Sequence, residues 1–123
     1  MILGDIINNK ILFNKLKGID FPANRLYNNY KAIKKIDSEI INWEELKNDY
    51  IRKHGEETSS EKIELVKDND KIEFLNWAED VLKTEVVVEG LNIRTEDFTT
   101  INLSIKELEF LNKYNLIEDN NEI

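Results

Sequence analysis

A chain of 123 residues without cysteine has room for one domain with one modest core, and it cannot form disulfides or thiolate zinc sites. Hydrophobic residues make up 41% of the chain and charged residues 34%, a balance typical of folded soluble proteins. The net charge of −8 is unevenly distributed, with +4 over residues 1–38 and −12 over residues 39–123. Bulk nucleic acid and membranes are therefore disfavoured as partners, because binding to their acidic surfaces needs positive charge. No stretch reaches the roughly twenty apolar residues of a membrane span, so we expect a cytoplasmic protein.

The first predicted element is a helix from Ile2 to Lys17. Its apolar residues stand at positions 3, 6, 7, 11, 12 and 16, which is the spacing of one helical face. Gly18 follows, where a glycine commonly ends a helix. Residues 19–21 then form a tight connection to the next element.

The longest predicted element is a helix over about residues 22–54. Pro22, the only proline, is tolerated at the first helical position because that N–H has no intrahelical partner. Asp20 or Phe21 is then the expected N-cap, and Gly55 is the expected left-handed residue that ends the helix. At about 1.5 Å per residue the helix spans about 50 Å, which exceeds the diameter expected for a globule of this size.

An apolar seam follows this helix from Leu26 to Tyr50. Its residues are three or four apart, with a mean period near the value of about 3.5 that coiled coils have. Because the seam is longer than the rest of one domain can easily cover, we expect shorter helices and a second subunit to cover it together. The sequence thus predicts a homo-oligomer. Its predicted interface consists of Tyr30, Ile33, Ile36, Ile40, Trp43 and Leu46.

Two strands and a helix are predicted after the long helix. Alternating polar and apolar residues predict a strand over residues 62–66. The β-branched run at residues 85–89, closed by Gly90, predicts a second strand. Between the two strands we expect a helix over about residues 71–83, with its N-cap within residues 68–70.

The last predicted helix begins at a capping box. Ser104 and Glu107 have the spacing at which each side chain reaches the other residue's backbone N–H, and the helix should run to about Lys113. Residues 1–117 then form a single domain, and residues 118–123 form a frayed acidic tail. The predicted fold is α+β and mainly α, with one long helix, shorter helices and a small sheet of two or three strands.

Residues that carry catalytic chemistry are scarce in this sequence. His54 is the only histidine, and its place at the end of the long helix favours a structural role. Asp68 and Asp70 begin like a calcium loop, but the third ligand and the glycine are replaced. Four scattered glycines do not make a phosphate-binding loop. We therefore expect no enzyme, no metal site and no cofactor.

A basic and aromatic face marks the first half of the long helix. An aromatic ring beside several cations is what stacking on a base and neutralising a phosphate require. The amides of the first helical turn add affinity for anions. The alternative is a solvated basic face whose lysines pair with Asp37 and Glu39. The candidate anion-binding residues are Arg25, Tyr27, Lys31, Lys34 and Lys35.

Four short motifs give the chain a resemblance to known proteins. They are FPANRLYNNYKAIKKI (21–36), KHGE (53–56), TEVVVE (84–89) and LSIKEL (103–108). In this order, over about residues 13–115, the chain resembles a group of short phage and prophage proteins of unknown function. Those proteins carry a Leu-Pro-x-Lys-x-x-Tyr-x-x-x-Lys run at the start of a long helix. This chain has Phe21 in place of the leucine and Asn24 in place of the first lysine, with Arg25 one position later. The resemblance implies a phage origin and brings no function.

Three non-enzymatic functions are compatible with these features. The first is a phage accessory protein that antagonises host defence, by occluding a defence protein or by sequestering a small anionic nucleotide signal. The second is a virion component or an assembly chaperone whose helical seam binds a structural protein. The third is a small regulator of replication or transcription.

Overall fold

The computed structural model describes residues 1–118, which form a mainly helical α+β fold, as predicted. Five α-helices, one 3-10 helix and four two-residue strands follow one another among these residues. The helices are α1 (Leu3–Asn8), α2 (Lys10–Leu16), α3 (Ala23–His54), α4 (Asp68–Leu82), the 3-10 helix (Thr95–Thr99) and α5 (Ile105–Lys113). The strands are β1 (Glu56–Glu57), β2 (Ile63–Glu64), β3 (Ile93–Arg94) and β4 (Ile117–Glu118).

The long helix α3 organises the fold. Its N-cap is Pro22, one residue later than expected, and neither Asp20 nor Phe21 takes that position. The basic residues Arg52–His54 fill its last turn, where positive charge is favourable. The first half of α3 buries one stripe of side chains in the main core, and the second half packs against α4. The buried residues of α3 are Arg25, Asn29, Ala32, Ile33, Ile36 and Trp43.

Gly55 follows α3, but not for the predicted reason. Its φ of −87° and ψ of 174° are extended and not left-handed, so that prediction is wrong. A Cβ atom at this position would lie 2.5 Å from the carbonyl oxygen of Ile51 and 2.8 Å from that of Glu64. Both distances are far inside van der Waals contact. Glycine is needed here because β2 passes directly against the end of the helix.

The segment expected to form one N-terminal helix forms two. Asn9, with φ −118° and ψ 26°, interrupts the helix between α1 and α2. The break lets both short helices turn apolar side chains into the same core, which also receives residues from α3, β3 and α5. The fully buried side chains at its centre are Ile6, Leu12, Phe13, Leu16, Ile36, Ile93 and Leu111.

Helix α4 covers the second half of α3 through stacked aromatic rings. Trp77 stacks on Trp43 with 5.7 Å between ring centroids, and on Tyr50 with 4.3 Å. The rings of Phe74 and His54 also contact the Tyr50 ring, in tilted orientations. This helix begins at Asp68, earlier than expected, and no side chain caps it; Lys67 is its N-cap residue. The acidic residues of its first turn, Asp68 and Asp70, instead interact favourably with the helix dipole.

The strands are shorter than predicted, and one predicted strand is wrong. β1 and β2 form an antiparallel hairpin, and β3 and β4 pair in parallel. Residues 85–89 form no strand. Glu85 makes a single isolated bridge with Ile2, and because α1 begins at the next residue, Leu3, the pairing cannot extend into a ladder. Gly90 follows with a φ of +84°, a value that glycine adopts without strain.

The capping box of α5 is confirmed, and the helix ends at the expected Lys113. The Ser104 hydroxyl accepts a hydrogen bond from the Glu107 N–H (3.1 Å), and the Glu107 carboxylate accepts one from the Ser104 N–H (2.9 Å). Glu118, expected in the acidic tail, is the last residue of β4, and residues 119–123 lie outside the described residues. No helix among residues 1–118 combines the length and the apolar character that crossing a bilayer requires.

Candidate functional site

An exposed patch of aromatic and lysine side chains lies on the first half of α3. We call it the α3 patch: Leu26, Tyr27, Tyr30, Lys31 and Lys34. The two tyrosine rings are 6.4 Å apart between centroids and are 66% and 53% exposed. The Lys31 Nζ lies 4.7 Å from the centroid of the Tyr27 ring, and the Lys34 Nζ lies 5.5 Å from that of Tyr30. The structure thus brings together three of the five predicted anion-binding residues.

An apolar groove borders the α3 patch. Its volume is about 410 Å³, and its two walls come from different parts of the chain. The α3 wall contains Ile33 together with Leu26 and Tyr30 of the patch. The facing wall consists of Leu16, Ile19 and Phe21. This groove was not predictable from the sequence, because its facing wall belongs to a segment whose pattern indicates only a helix end and a short connection.

The lysines around the groove differ in the partners they have. Lys17, at the rim, pairs with Asp37 at 2.8 Å, and Lys35 pairs with Glu39 at 2.9 Å. Lys35 therefore follows the predicted alternative of a solvated, paired face. Within residues 1–118, Lys31 and Lys34 take part in no ion pair, and Lys34 donates a hydrogen bond only to the Tyr30 hydroxyl (3.2 Å). These two lysines carry the available positive charge of the patch.

Arg25 does not belong to the exposed patch, which corrects the prediction that it binds a ligand. Its side chain is only 6% exposed and donates two hydrogen bonds, of 2.9 and 2.8 Å, to the carboxylate of Asp97. These bonds raise the pKa of Arg25 and lower that of Asp97. Arg25 also shares the Asn92 carbonyl oxygen with the buried Asn29. The pair therefore joins α3 to the 3-10 helix.

The burial of Arg25 could have been predicted from its spacing along the helix. Arg25, Asn29 and Ile36 are separated by four and seven residues, so they share the buried face of α3. Tyr27 and Lys31 occupy the nearly opposite, exposed face. Grouping Arg25 with them by closeness in sequence was wrong, because two residues along a helix differ by about 200° in direction.

Most of the predicted oligomer interface lies inside one copy of the chain. Ile33, Ile36 and Trp43 are buried, and Ile40 packs against the core. Neighbouring helices therefore cover the central part of the seam, and burying those residues does not need a second subunit. Of the predicted interface, Tyr30 and Leu46 are exposed. An oligomer remains a prediction, and its contact must use exposed side chains, of which Tyr30 is one.

The carboxyl groups with lowered pKa values are held in structural contacts. Hydrogen bonds from Tyr114 and then from Lys113 lower the pKa of Asp5, which links α1 to the end of α5. Hydrogen bonds from Lys47 and Lys10 lower the pKa of Glu44. Burial acts to raise the pKa of the Glu107 carboxyl, but hydrogen bonds from Lys15 and Ser104 lower it. Each such carboxylate already has its partners within the fold.

Neither a metal-binding cluster nor a match to a known protein gives further information about these residues. Among residues 1–118 no group of three histidine, aspartate or glutamate side chains is arranged to hold a metal ion. No family model, curated protein or solved structure matches the chain. The resemblance to phage and prophage proteins therefore stays a prediction from the motifs.

Proposed function

We propose that this chain is a phage-encoded, non-enzymatic binding protein of the host cytoplasm, and that it antagonises host defence by occluding a defence protein. The phage origin rests on the four ordered motifs. The binding surface is the α3 patch with its groove.

The observation that carries this proposal is the composition of the α3 patch. Two exposed tyrosines and a leucine stand beside an apolar groove, with two lysines whose charge no described residue neutralises. Tyrosine is enriched at the centres of protein interfaces, where it contributes much of the binding energy. The lysines would select an acidic partner and speed its association with a local positive field on an otherwise negative molecule.

Sequestration of an anionic nucleotide is the alternative that the same residues support. The Tyr27 and Tyr30 rings could stack on a base, and Lys31 and Lys34 could neutralise phosphate. Small ligands are usually bound in sites that enclose most of their surface, however, whereas these rings project from the outside of a helix. This geometry favours a protein partner.

The test is a plating assay on hosts that each carry one defence system. A defence-sensitive phage should plate better when the host expresses this protein, and the gain should disappear with Lys31→Glu combined with Lys34→Glu. The matched control is Lys62→Glu combined with Lys106→Glu. It makes the same change in net charge at two exposed lysines outside α3, one in the loop between β1 and β2 and one in α5.

Several outcomes would contradict the proposal. Equal protection by the wild type and by the variant with Lys31→Glu and Lys34→Glu would show that the α3 patch is not the binding surface. A nucleotide released from the purified protein, and identified by mass spectrometry, would favour sequestration. Stoichiometric amounts of the protein in purified phage particles would favour a virion component or an assembly chaperone.

A further inference from the structure

The outer face of α4 carries a stripe of exposed side chains, and among residues 1–118 its one ion pair is a 3.8 Å contact with Lys83. Ile72 and Leu75 are 55% and 64% exposed, on the side of α4 that faces away from the Trp77 stack. Asp68 lies one turn before Ile72, and Glu79 lies one turn after Leu75, so both share the stripe. We call these four residues the α4 stripe: two apolar side chains with a carboxylate at each end.

The α4 stripe and the α3 patch are complementary in character. The stripe belongs to a helix with five acidic residues and one lysine. The patch offers apolar Leu26 and Tyr30 beside the groove, with Lys31 and Lys34 next to them. An amphipathic helix bound in an apolar groove with opposite charge at its edges is a common form of protein recognition.

The two surfaces cannot meet within one copy of the chain. Trp77 anchors α4 on Trp43 and Tyr50, in the second half of α3. Tyr30 lies thirteen residues before Trp43, which is about 20 Å along a helix. Contact between patch and stripe must therefore join two copies.

We propose that the α4 stripe of one copy docks in the groove of the α3 patch of a second copy. Ile72 and Leu75 enter the groove, and Asp68 and Glu79 lie against Lys31 and Lys34. The apolar side chains supply most of the affinity, and the charges orient the two helices. Within its own copy the Glu79 carboxylate has a long contact of 3.8 Å with Lys83, so it can also pair with a lysine of a second copy.

This contact is heterologous, because it joins two different surfaces. A linear assembly keeps a free patch at one end and a free stripe at the other, so it grows until a ring closes or continues as an open filament. The inference concerns this chain alone and does not rest on the proposed function. Because both use the α3 patch, a host partner would have to displace a neighbouring copy.

Sedimentation velocity on the full chain tests the proposal through two variants. The patch variant is Lys31→Glu with Lys34→Glu, and the stripe variant is Ile72→Ser with Leu75→Ser. The wild type should grow in mass with concentration, and more strongly at low ionic strength, where charges are screened less. Each variant alone should remain a 14.5 kDa monomer. Mixed together, they should form a complex of two chains and nothing larger, since only one intact patch and one intact stripe can meet.

Three results would overturn the proposal. They are a wild type that stays monomeric at every concentration, a mixture that stays monomeric while the wild type associates, and a mixture that assembles beyond two chains. Lys62→Glu with Lys106→Glu is the charge control and should assemble like the wild type.

A charge exchange replaces the serine variant if that variant fails to fold. Circular dichroism decides whether each variant keeps its helices. The exchange is Asp68→Lys with Glu79→Lys, which should be monomeric alone because its stripe and patch then repel. Mixed with the patch variant, it should restore assembly to the wild-type size, because both contacts regain opposite charges. A mixture that stays monomeric would also overturn the proposal.

Discussion

Replacing Asp97 by alanine tests the buried ion pair that joins α3 to the 3-10 helix. The Asp97 carboxylate accepts two hydrogen bonds from the Arg25 guanidinium and a third, of 2.8 Å, from the Arg94 N–H. Both members of the pair are almost completely shielded from water. Removing the carboxylate therefore leaves a buried positive charge with only the Asn92 carbonyl oxygen to accept its hydrogen bonds.

The expected loss is large because the remaining charge is buried. Breaking a buried pair by removing one partner costs about 3–5 kcal/mol. A domain of this size has a free energy of unfolding of only about 5–15 kcal/mol. The partly exposed pair of Lys35 with Glu39 is the comparison, because a pair at this helical spacing on a protein surface contributes only about 0.3–0.5 kcal/mol.

Urea unfolding at neutral pH, followed by circular dichroism, measures these differences. Asp97→Ala should lower the urea midpoint far more than Glu39→Ala does. Arg25→Met combined with Asp97→Ala should be more stable than Asp97→Ala alone, because the double variant buries no unpaired charge. Equal midpoints for Asp97→Ala and the wild type would refute the reasoning, and so would a double variant that is the least stable of the series.

The pH dependence of the same pair has a definite sign. The hydrogen bonds from Arg25 lower the pKa of Asp97 in the folded protein. A carboxyl group with a lowered folded pKa stabilises the fold above its ordinary unfolded pKa, and this contribution is lost as the pH falls through the folded value. The gap in unfolding free energy between wild type and Asp97→Ala should therefore narrow in acid. A gap that is constant with pH would contradict this assignment.

Three further substitutions test other parts of the fold by urea unfolding. Ser104→Ala should cost about 1 kcal/mol, because the α5 capping box loses a hydrogen bond; no change would mean that the serine does not cap the helix. Gly55→Ala should cost about 1–3 kcal/mol through its clash with backbone oxygens, whereas Gly18→Ala, whose nearest contact would be 3.4 Å, should be almost neutral. Trp77→Ala should cost about 2–3 kcal/mol, less than for a fully buried tryptophan, and should remove the near-ultraviolet circular dichroism of its stack with Trp43. An unchanged spectrum would show that the rings do not stack in solution.

Local features of the sequence were enough to predict α3 and α5 and their limits, but not the break between α1 and α2 or the start of α4. The apolar spacing and Pro22 predicted α3 to within about a residue, and the spacing of Ser104 with Glu107 predicted the start of α5. These signals depend on contacts between residues within about four positions of one another, so the local sequence contains them. The exposed positions of Tyr27, Lys31 and Lys34 followed from the same periodicity.

Contacts between distant segments decided what local patterns could not. The β-branched run at residues 85–89 has the composition of a strand, but its neighbour Ile2 gives it no ladder. Arg25 belongs to the core because Asp97, seventy-two positions later, lies opposite it. The groove beside Tyr30 exists because residues 16–21 fold back along α3. The sequence alone determined which side chains share a helical face. Only the tertiary structure determined which faces are covered, because burial depends on the partners that long-range packing brings into contact.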